Sequence, residues 1–288
     1  MNVLAPNGLC RARPDDAPAI ERFLSRYSET SMFLRSNLAE WGIGNADSAH
    51  ATDYVLWRDD GSKISAVFGL TKSGYLLVQM PDQISDLRSL KPFWSGRKVI
   101  GMSGASDQVT HVLSALGFRP SDQDMAEDEP LLALDLNKLE PAHDTLRSPR
   151  MGDRNLLLKW FSGYGADTGL PFADADIEHR VERALRDGHV QILEEDGRPV
   201  AMTSTNAVVD DTVQIGGVFV PESLRNRGYG RRVVAAQLAQ ARDNGARRAI
   251  LFAASKAAEA AYVAIGFHRI GTYRVVILKT PKTIGKAH

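Results

Sequence analysis

The chain contains a version of itself, and an internal repeat limits the possible folds more than any single motif does. "RARPDDAPAIERFL" (11–24) resembles "RSPRMGDRNLLLKWF" (147–161). "WRDDGSKISAVFG" (57–69) resembles "LEEDGRPVAMTS" (193–204) at an offset of 136, and "IGMSGASDQVTHVLSALGF" (100–118) resembles "ILFAASKAAEAAYVAIGF" (250–267) at an offset of 149. The three matches are collinear. The segment 135–150, with Pro141 and Pro149 and no apolar periodicity, reads as the joint. The expected division is therefore 1–138 and 139–288, two domains of ordinary size.

The copies differ in one place. Pro81 lies 37 positions before Phe118, whereas Pro221 lies 46 before Phe267, so the second copy is nine residues longer there. The extra length falls at "SLRNRGYGRR", against a glycine-free "PDQISDLRSLKPFW" in the first copy. Periodicity gives the rest of the second copy. Two helices come first, in "RNLLLKWFSGYG" and "DADIEHRVERALRDG", with "SGYGADTG" (162–169) read as a loop. Three antiparallel strands turn at Asp196-Gly197 and Asp210-Asp211. A long amphipathic helix from Gly228 to Asn244-Gly245 follows, then the buried strand "RRAILFAA", a helix ending at Gly266, and one or two closing strands. The order ααβββαβαββ predicts a layered α/β domain on a mixed sheet.

Composition narrows the partners. Lys plus Arg and Asp plus Glu both number 35, a balance that offers no overall footprint for nucleic acid or an anionic membrane. No run of 18 apolar residues exists, and the start shows no signal peptide. Cys10 is the only cysteine, which excludes an internal disulfide and makes a reducing cytoplasm the expected location. Cys10 itself reads as a half-buried strand residue rather than a nucleophile. Histidines 179, 189 and 268 have no metal-ligand spacing, so no metal is expected.

The turn "RNRGYGRR" has local anion-binding chemistry. A strand runs into a short loop and then a helix, whose first N–H groups have no intrahelical partner and whose dipole is positive there. Gly228 and Gly230 let backbone approach an anion, and Arg225, Arg227, Arg231 and Arg232 add charge. Alone, the same residues also fit a solvated helix start. A P-loop lysine and a dinucleotide-binding GxGxxG are both missing.

"VFVPESLRNRGYGRR" followed by "ILFAASKAAEAAYVAIGF" resembles the GNAT superfamily of N-acetyltransferases. Its [Q/R]xxGx[G/A] signature stands here as Arg225, Asn226, Arg227, Gly228, Tyr229 and Gly230. Its second signature runs from Ser255, in place of the usual Asn, through Tyr262 to Gly266-Phe267. The resemblance covers roughly 147–279. It implies two GNAT-like α/β layered domains in tandem, each a central mixed, mostly antiparallel sheet flanked by helices, with a degenerate first copy lacking the cofactor motif.

The resemblance further implies acetyl-CoA as co-substrate. Its pyrophosphate would be anchored by backbone N–H groups of 226–231, helped by Arg225 or Arg231. Its pantetheine arm would pair along Val218, Phe219 and Val220, and Ser255 would bond that arm or else cap the following helix. Gly216-Gly217 falls where the family bulges its fourth strand. Because no phosphoryl group is transferred, no phosphate-gripping lysine is needed. Tyr262 matches the residue that protonates the leaving thiolate. A phenol with a pKa near 10 carries its proton at neutral pH, although an alanine-flanked helix position also suits core packing. Its counterpart in the first copy is Leu113. Asp174, Asp176 and Glu178 fit either an acceptor pocket or an acidic helix start, and no general base is assigned. Trp160, Phe161 and Tyr164 are expected to pack the first helix, and a place at the acceptor site is the alternative. The implied partner is a small-molecule or peptide amine, on a monomer or homodimer. Two other classes stay open: an acyl-CoA-binding sensor without turnover, and a purely structural protein.

Overall fold

The computed structural model describes residues 8–44, 47–59, 63–82, 84, 86–170 and 172–285. The chain divides into two compact units, Met1–Glu129 with Gly271–His288, and Pro130–Ile270. The second unit is thus contiguous in sequence, while the first is made of both ends of the chain.

In the first unit β1 (Leu9–Arg11) leads into α1 (Ala17–Leu24) and α2 (Ser28–Trp41). Then come β2 (Thr52–Asp59), β3 (Lys63–Thr71), β4 (Tyr75–Gln79), β5 (Lys98–Ala105), α3 (Ser106–Leu116) and the start of β6 (Gln123–Asp135). The second unit continues with β7 (Leu146–Arg147), α4 (Arg154–Thr168), α5 (Asp174–Asp187), β8 (Val190–Glu195), β9 (Arg198–Val209) and β10 (Thr212–Phe219). It closes with α6 (Tyr229–Asp243), β11 (Arg248–Phe252), α7 (Lys256–Val263) and the start of β12 (His268–Thr283).

The two sheets have one pattern. Within the first unit β1 to β4 pair antiparallel in sequence order, β4 pairs parallel with β5, and β5 pairs antiparallel with β12. Within the second, β7 to β10 pair antiparallel in order, β10 pairs parallel with β11, and β11 pairs antiparallel with β6. Each sheet separates two apolar cores. In the second unit Val213, Ile215, Val233, Val234, Leu251 and Tyr262 pack on the α6/α7 side, and Leu157, Trp160, Phe161, Val181, Ile192 and Phe219 pack on the α4/α5 side. In the first unit Phe68, Val78, Trp94, Val109, Val112 and Val276 share one cluster, and Ile20, Phe23, Leu34, Tyr54 and Leu56 another. The fold is therefore the mixed α/β architecture that the repeat implies, built twice.

Three details either differ from the sequence reading or decide what it left open. The units do not meet at 138/139, because the last strand of each is taken from the other half of the sequence: β6 pairs through Leu131–Asp135 with β11, and β12 pairs through Tyr273–Ile277 with β5. A closing strand satisfies any free edge of matching register, and its place in sequence does not determine which edge that is. Second, the closing segment is one strand of 16 residues. Third, "SGYGADT" is not a loop but the last two turns of α4, which ends at Gly169 with φ 68°. Its glycines serve close packing: a Cβ on Gly163 would lie 2.6 Å from the Phe219 ring, and one on Gly165 would lie 2.9 Å from Phe172. The turns at Asp196-Gly197 and Asp210 have the expected positive φ, at 50°, 71° and 52°. Cys10 is buried on β1. Among the described residues no helix is long and apolar enough to cross a membrane.

Val276 tests the exchange of strands. It is fully buried in the core of the first unit although it stands near the C-terminus. Val276→Ala is expected to cost about 1–3 kcal/mol. In native-state hydrogen exchange the loss should appear as faster exchange at β5 amides, with β8 and β9 little changed.

Candidate functional site

The site begins with a parting of strands. β10 and β11 pair at Thr212↔Arg248, Val213↔Ala249 and Gln214↔Ile250, and there the ladder stops. On its other side β10 shifts register against β9 between Gln214 and Ile215 and again between Gly216 and Phe219. A Cβ on Gly216 would lie 2.1 Å from Asn206 Nδ2, and one on Gly217, whose φ is 56°, would lie 2.4 Å from Ser204 Oγ. The left-handed φ of Gly217 favours glycine in this bulge, and the bulge carries β10 away from β11. A cleft of about 640 Å³ opens beyond the parting.

At one end of the cleft is the start of α6. Asn226 and Gly228 have φ of 63° and 81°, so the turn coils left-handed at alternate residues and its N–H groups can converge on a concavity. The first helical bond there is the Arg232 N–H to the Gly228 carbonyl, at 3.1 Å. The N–H groups of Tyr229, Gly230 and Arg231 are the unpaired first-turn donors. The space beside the glycines is open: a Cβ at Gly228 would come no nearer than 3.6 Å to Arg231, and one at Gly230 no nearer than 3.7 Å to Val220.

The arginines divide by role. The Arg225 guanidinium is already engaged, its Nε donating to the Val220 carbonyl at 3.1 Å and its Nη2 pairing with Asp167 at 2.5 Å. Arg232 is also engaged, with Asp144 at 2.5 Å and Glu195 at 2.7 Å, and it lies 5.4 Å from the centre of the Tyr229 ring. Its bonds hold the Asp144 carboxyl below the usual carboxylate range. Arg231 and Arg227 have no carboxylate partner among the described residues. Arg231 lines the cleft, whereas Arg227 does not and lies on an adjoining hollow.

The cleft brings together Val218, Phe219, Val220, Arg225, Asn226, Gly228, Tyr229, Gly230, Arg231, Ser255 and Tyr262, all expected from sequence. Ser255 caps α7, its Oγ accepting from the Ala258 N–H at 3.1 Å, and it still faces the cleft. Tyr262 is 7% exposed and packs against Phe267 with ring centres 6.2 Å apart. It is thus a core residue that also lines the cleft. The acidic residues considered for an acceptor pocket lie elsewhere: Asp176 caps α5 by accepting from the Ala173 N–H at 3.2 Å, and Glu178 pairs with Arg154.

Sequence reasoning missed one wall. Asp167 and Thr168, on the last turn of α4, line the cleft because that segment is helix rather than loop, and Tyr164, for which a place at the site was one of two readings, lines it beside them. It also missed Ala257, Ala258 and Ala261 of α7, whose small side chains keep the slot open. Aligning the copies could have found them, since their counterparts are Gln108, Val109 and Val112. In the first unit those three are buried, and the Gln108 amide oxygen accepts from the Met80 N–H at 2.7 Å. Met80 is the counterpart of Val220, so the first copy satisfies with its own side chain a strand-end donor at the position where the second copy has a cleft.

With this geometry, the comparisons with known proteins are informative. The family model described as Acetyltransferase (GNAT) family matches residues 156–271. The chain carries a GNAT acetyltransferase domain. Among curated proteins no sequence matches. Solved structures share the fold over nearly the whole chain. A GCN5-related N-acetyltransferase from Sphaerobacter thermophilus has 16% identity and a TM-score of 0.59, with 98% of each chain covered. A GNAT-family acetyltransferase from Colwellia psychrerythraea has 12% identity and a TM-score of 0.53, covering 94% of this chain and 99% of its own. A tandem GNAT protein from the clavulanic acid biosynthesis pathway, determined without acetyl-CoA, has 14% identity and a TM-score of 0.54, covering 97% and 99%. The matched segment contains both the parted strands and the α6 turn.

One buried group beside the cleft is left unsatisfied. Gln214, at the apex where the strands part, is fully buried, and neither its Oε1 nor its Nε2 has a hydrogen-bond partner among the described residues. Leaving such a group unpaired costs about 1–3 kcal/mol. Gln214→Met, similar in shape and apolar, is therefore expected to raise the melting temperature in a thermal scan.

Proposed function

We propose that the protein is an acyltransferase that moves an acetyl group from acetyl-CoA to a primary amine by direct attack, with the second unit as its catalytic part. The observation that carries this reading is the cleft itself: an unpaired strand edge runs from the anion-binding turn of α6 to the apex of the parted strands, with Tyr262 in its lining. The residues fit such a ligand. Backbone N–H groups at 229–231 and the Arg231 guanidinium would hold the pyrophosphate, while Arg225, tied to Asp167 and Val220, would brace the turn. The edge of β10 at Val218, Phe219 and Val220 would receive the amide-rich arm, beside Ser255 and the three alanines of α7.

Bound acetyl-CoA supplies a thioester with an attackable acyl carbon and a thiolate leaving group. Tyr262 acts at the sulfur: its phenol donates a proton as the C–S bond breaks, while the lone pair of the amine forms the new C–N bond and the amine gives up a proton to solvent. The buried setting of Tyr262 keeps competing water away from that proton. The first unit is a degenerate copy whose slot is filled by Gln108, Val109 and Val112, and it takes part in catalysis only indirectly. A cytoplasmic setting agrees with a single buried, unpaired cysteine.

Free-thiol release from acetyl-CoA against a panel of primary amines tests the reading. Wild type should exceed the hydrolysis background with at least one amine, and Tyr262→Phe should lower kcat by about 10²–10⁴-fold. Binding without release from any amine would favour an acyl-CoA sensor. In calorimetry one equivalent of acetyl-CoA should bind per chain, and two equivalents would contradict the filled slot of the first unit.

A further inference from the structure

The α4 wall of the cleft continues into an aromatic stack. Tyr164, which lines the cleft, lies against Phe172 with ring centres 6.3 Å apart and planes at 21°. Backbone bonds hold Phe172 there: the Leu170 N–H donates to the Gly165 carbonyl at 3.1 Å, and the Phe172 N–H to the Leu170 carbonyl at 2.9 Å. The Arg180 guanidinium, from the second turn of α5, sits 4.0 Å from the centre of the Phe172 ring. Arg180 is exposed, and among the described residues it pairs with no carboxylate. The acids near it on α5 are already used. Glu178 pairs with Arg154, Arg183 and Arg186 share Asp187, and Asp176 accepts from the Ala173 N–H. Stacking occupies the face of a guanidinium and leaves its N–H edge for a planar anion. Inside the cleft no such choice is left: Asp167, the one acid among its described lining residues, is bound to Arg225, and Arg231 stands at the α6 turn.

We infer that the acceptor is a small amine with a carboxylate at its other end, and that Arg180, on its Phe172 platform, binds that carboxylate. The inference rests on the acyl-transfer reading of the cleft and names its acceptor class. That reading places the donor's arm along β10 beside Ser255 and the alanines of α7, so the acceptor approaches the thioester along the α4 wall, past Tyr164. A diamine would find no unengaged acid in the described lining for its second ammonium. An alkylamine would leave Arg180 unused. The Phe172 ring stands between Tyr164 and Arg180, so the amine and the carboxylate belong several bonds apart rather than on one carbon. The two rings give the methylene chain between them an apolar surface.

Thiol release with matched acceptors tests this on the full chain. The acceptors are the ω-amino acids from β-alanine to 6-aminohexanoate, each compared with the alkylamine and the diamine of equal chain length. Calorimetry with acetyl-CoA alone runs beside it. At least one ω-amino acid should exceed both its partners in kcat/KM by about tenfold or more, one charged contact being worth about that ratio. Arg180→Gln should bring the ratio to about one, through a higher KM for the amino acid, with acetyl-CoA affinity within about twofold of wild type. Arg180→Lys, which keeps the charge, should retain part of the preference. Three results would each overturn the inference: a preference for the alkylamine or the diamine, no release with any ω-amino acid, or a loss in Arg180→Gln shared equally by paired acceptors. The last would assign Arg180 to packing on Phe172. Wild-type binding of acetyl-CoA in those cases would leave the reading of the cleft intact, whereas its absence would remove that reading and the inference together.

Discussion

The second unit is organised around one broken ladder. A parallel pair of strands normally satisfies backbone donors and acceptors along its whole length, and unpaired buried groups are costly. Here the pairing stops at Gln214↔Ile250, and the bulge at Gly216-Gly217 keeps the strands from meeting again. Everything near the parting follows from that. Phe219 goes under α4, where Gly163 makes room for it. The carbonyl of Val220 is satisfied by Arg225, which Asp167 in turn holds in place. The remaining strand edge is polar, linear and accessible, so it suits an extended ligand carrying amides of its own.

The two units show what turns such an opening into a site. They share strand order and pairing direction, including a parallel pair that stops early, at Leu77↔Ser103 in the first unit. They differ in side-chain volume and one segment length. Where α6 gives the second unit 15 helical residues and a glycine turn, the first has a 3₁₀ run, Leu87–Trp94, containing Pro92. Proline removes a donor and breaks an α-helix, and among the described residues of the first unit no α-helix start takes the place of α6. Gln108 then closes the opening with a hydrogen bond. The same backbone idea yields a cleft in one copy and solid core in the other.

Much of this was legible in the sequence. Residues 226–231 and Tyr262 were located by a glycine pattern and by spacing, both local properties that a strand–turn–helix start imposes on its own sequence. The three strands of the meander were fixed by Asp196-Gly197 and Asp210-Asp211, where the positive φ of Asp196, Gly197 and Asp210 admits few residue types. What escaped was non-local. Glycine near the end of α4 reads as a breaker until the Phe219 ring that needs the space is known. The charge on Arg225 and Arg232 reads as available until Asp167, Asp144 and Glu195 are brought alongside. The destination of β12 is set by an open sheet edge, which leaves no mark on the strand that will occupy it.

That last feature governs the order in which the chain can be completed as it is made. Ser103 and Tyr273, whose hydroxyls meet at 3.2 Å, lie 170 positions apart. At about 5–20 residues per second a ribosome needs roughly 10–30 s to cover that distance. During that time the N-terminal segment has its helices and five strands while the edge of β5 waits for its partner, and by the time Tyr273 is made Pro130–Ile270 is already complete. The part of the protein synthesised first is therefore the part finished last, and an early stop codon after Ile270 would spare the contiguous unit and leave the other open.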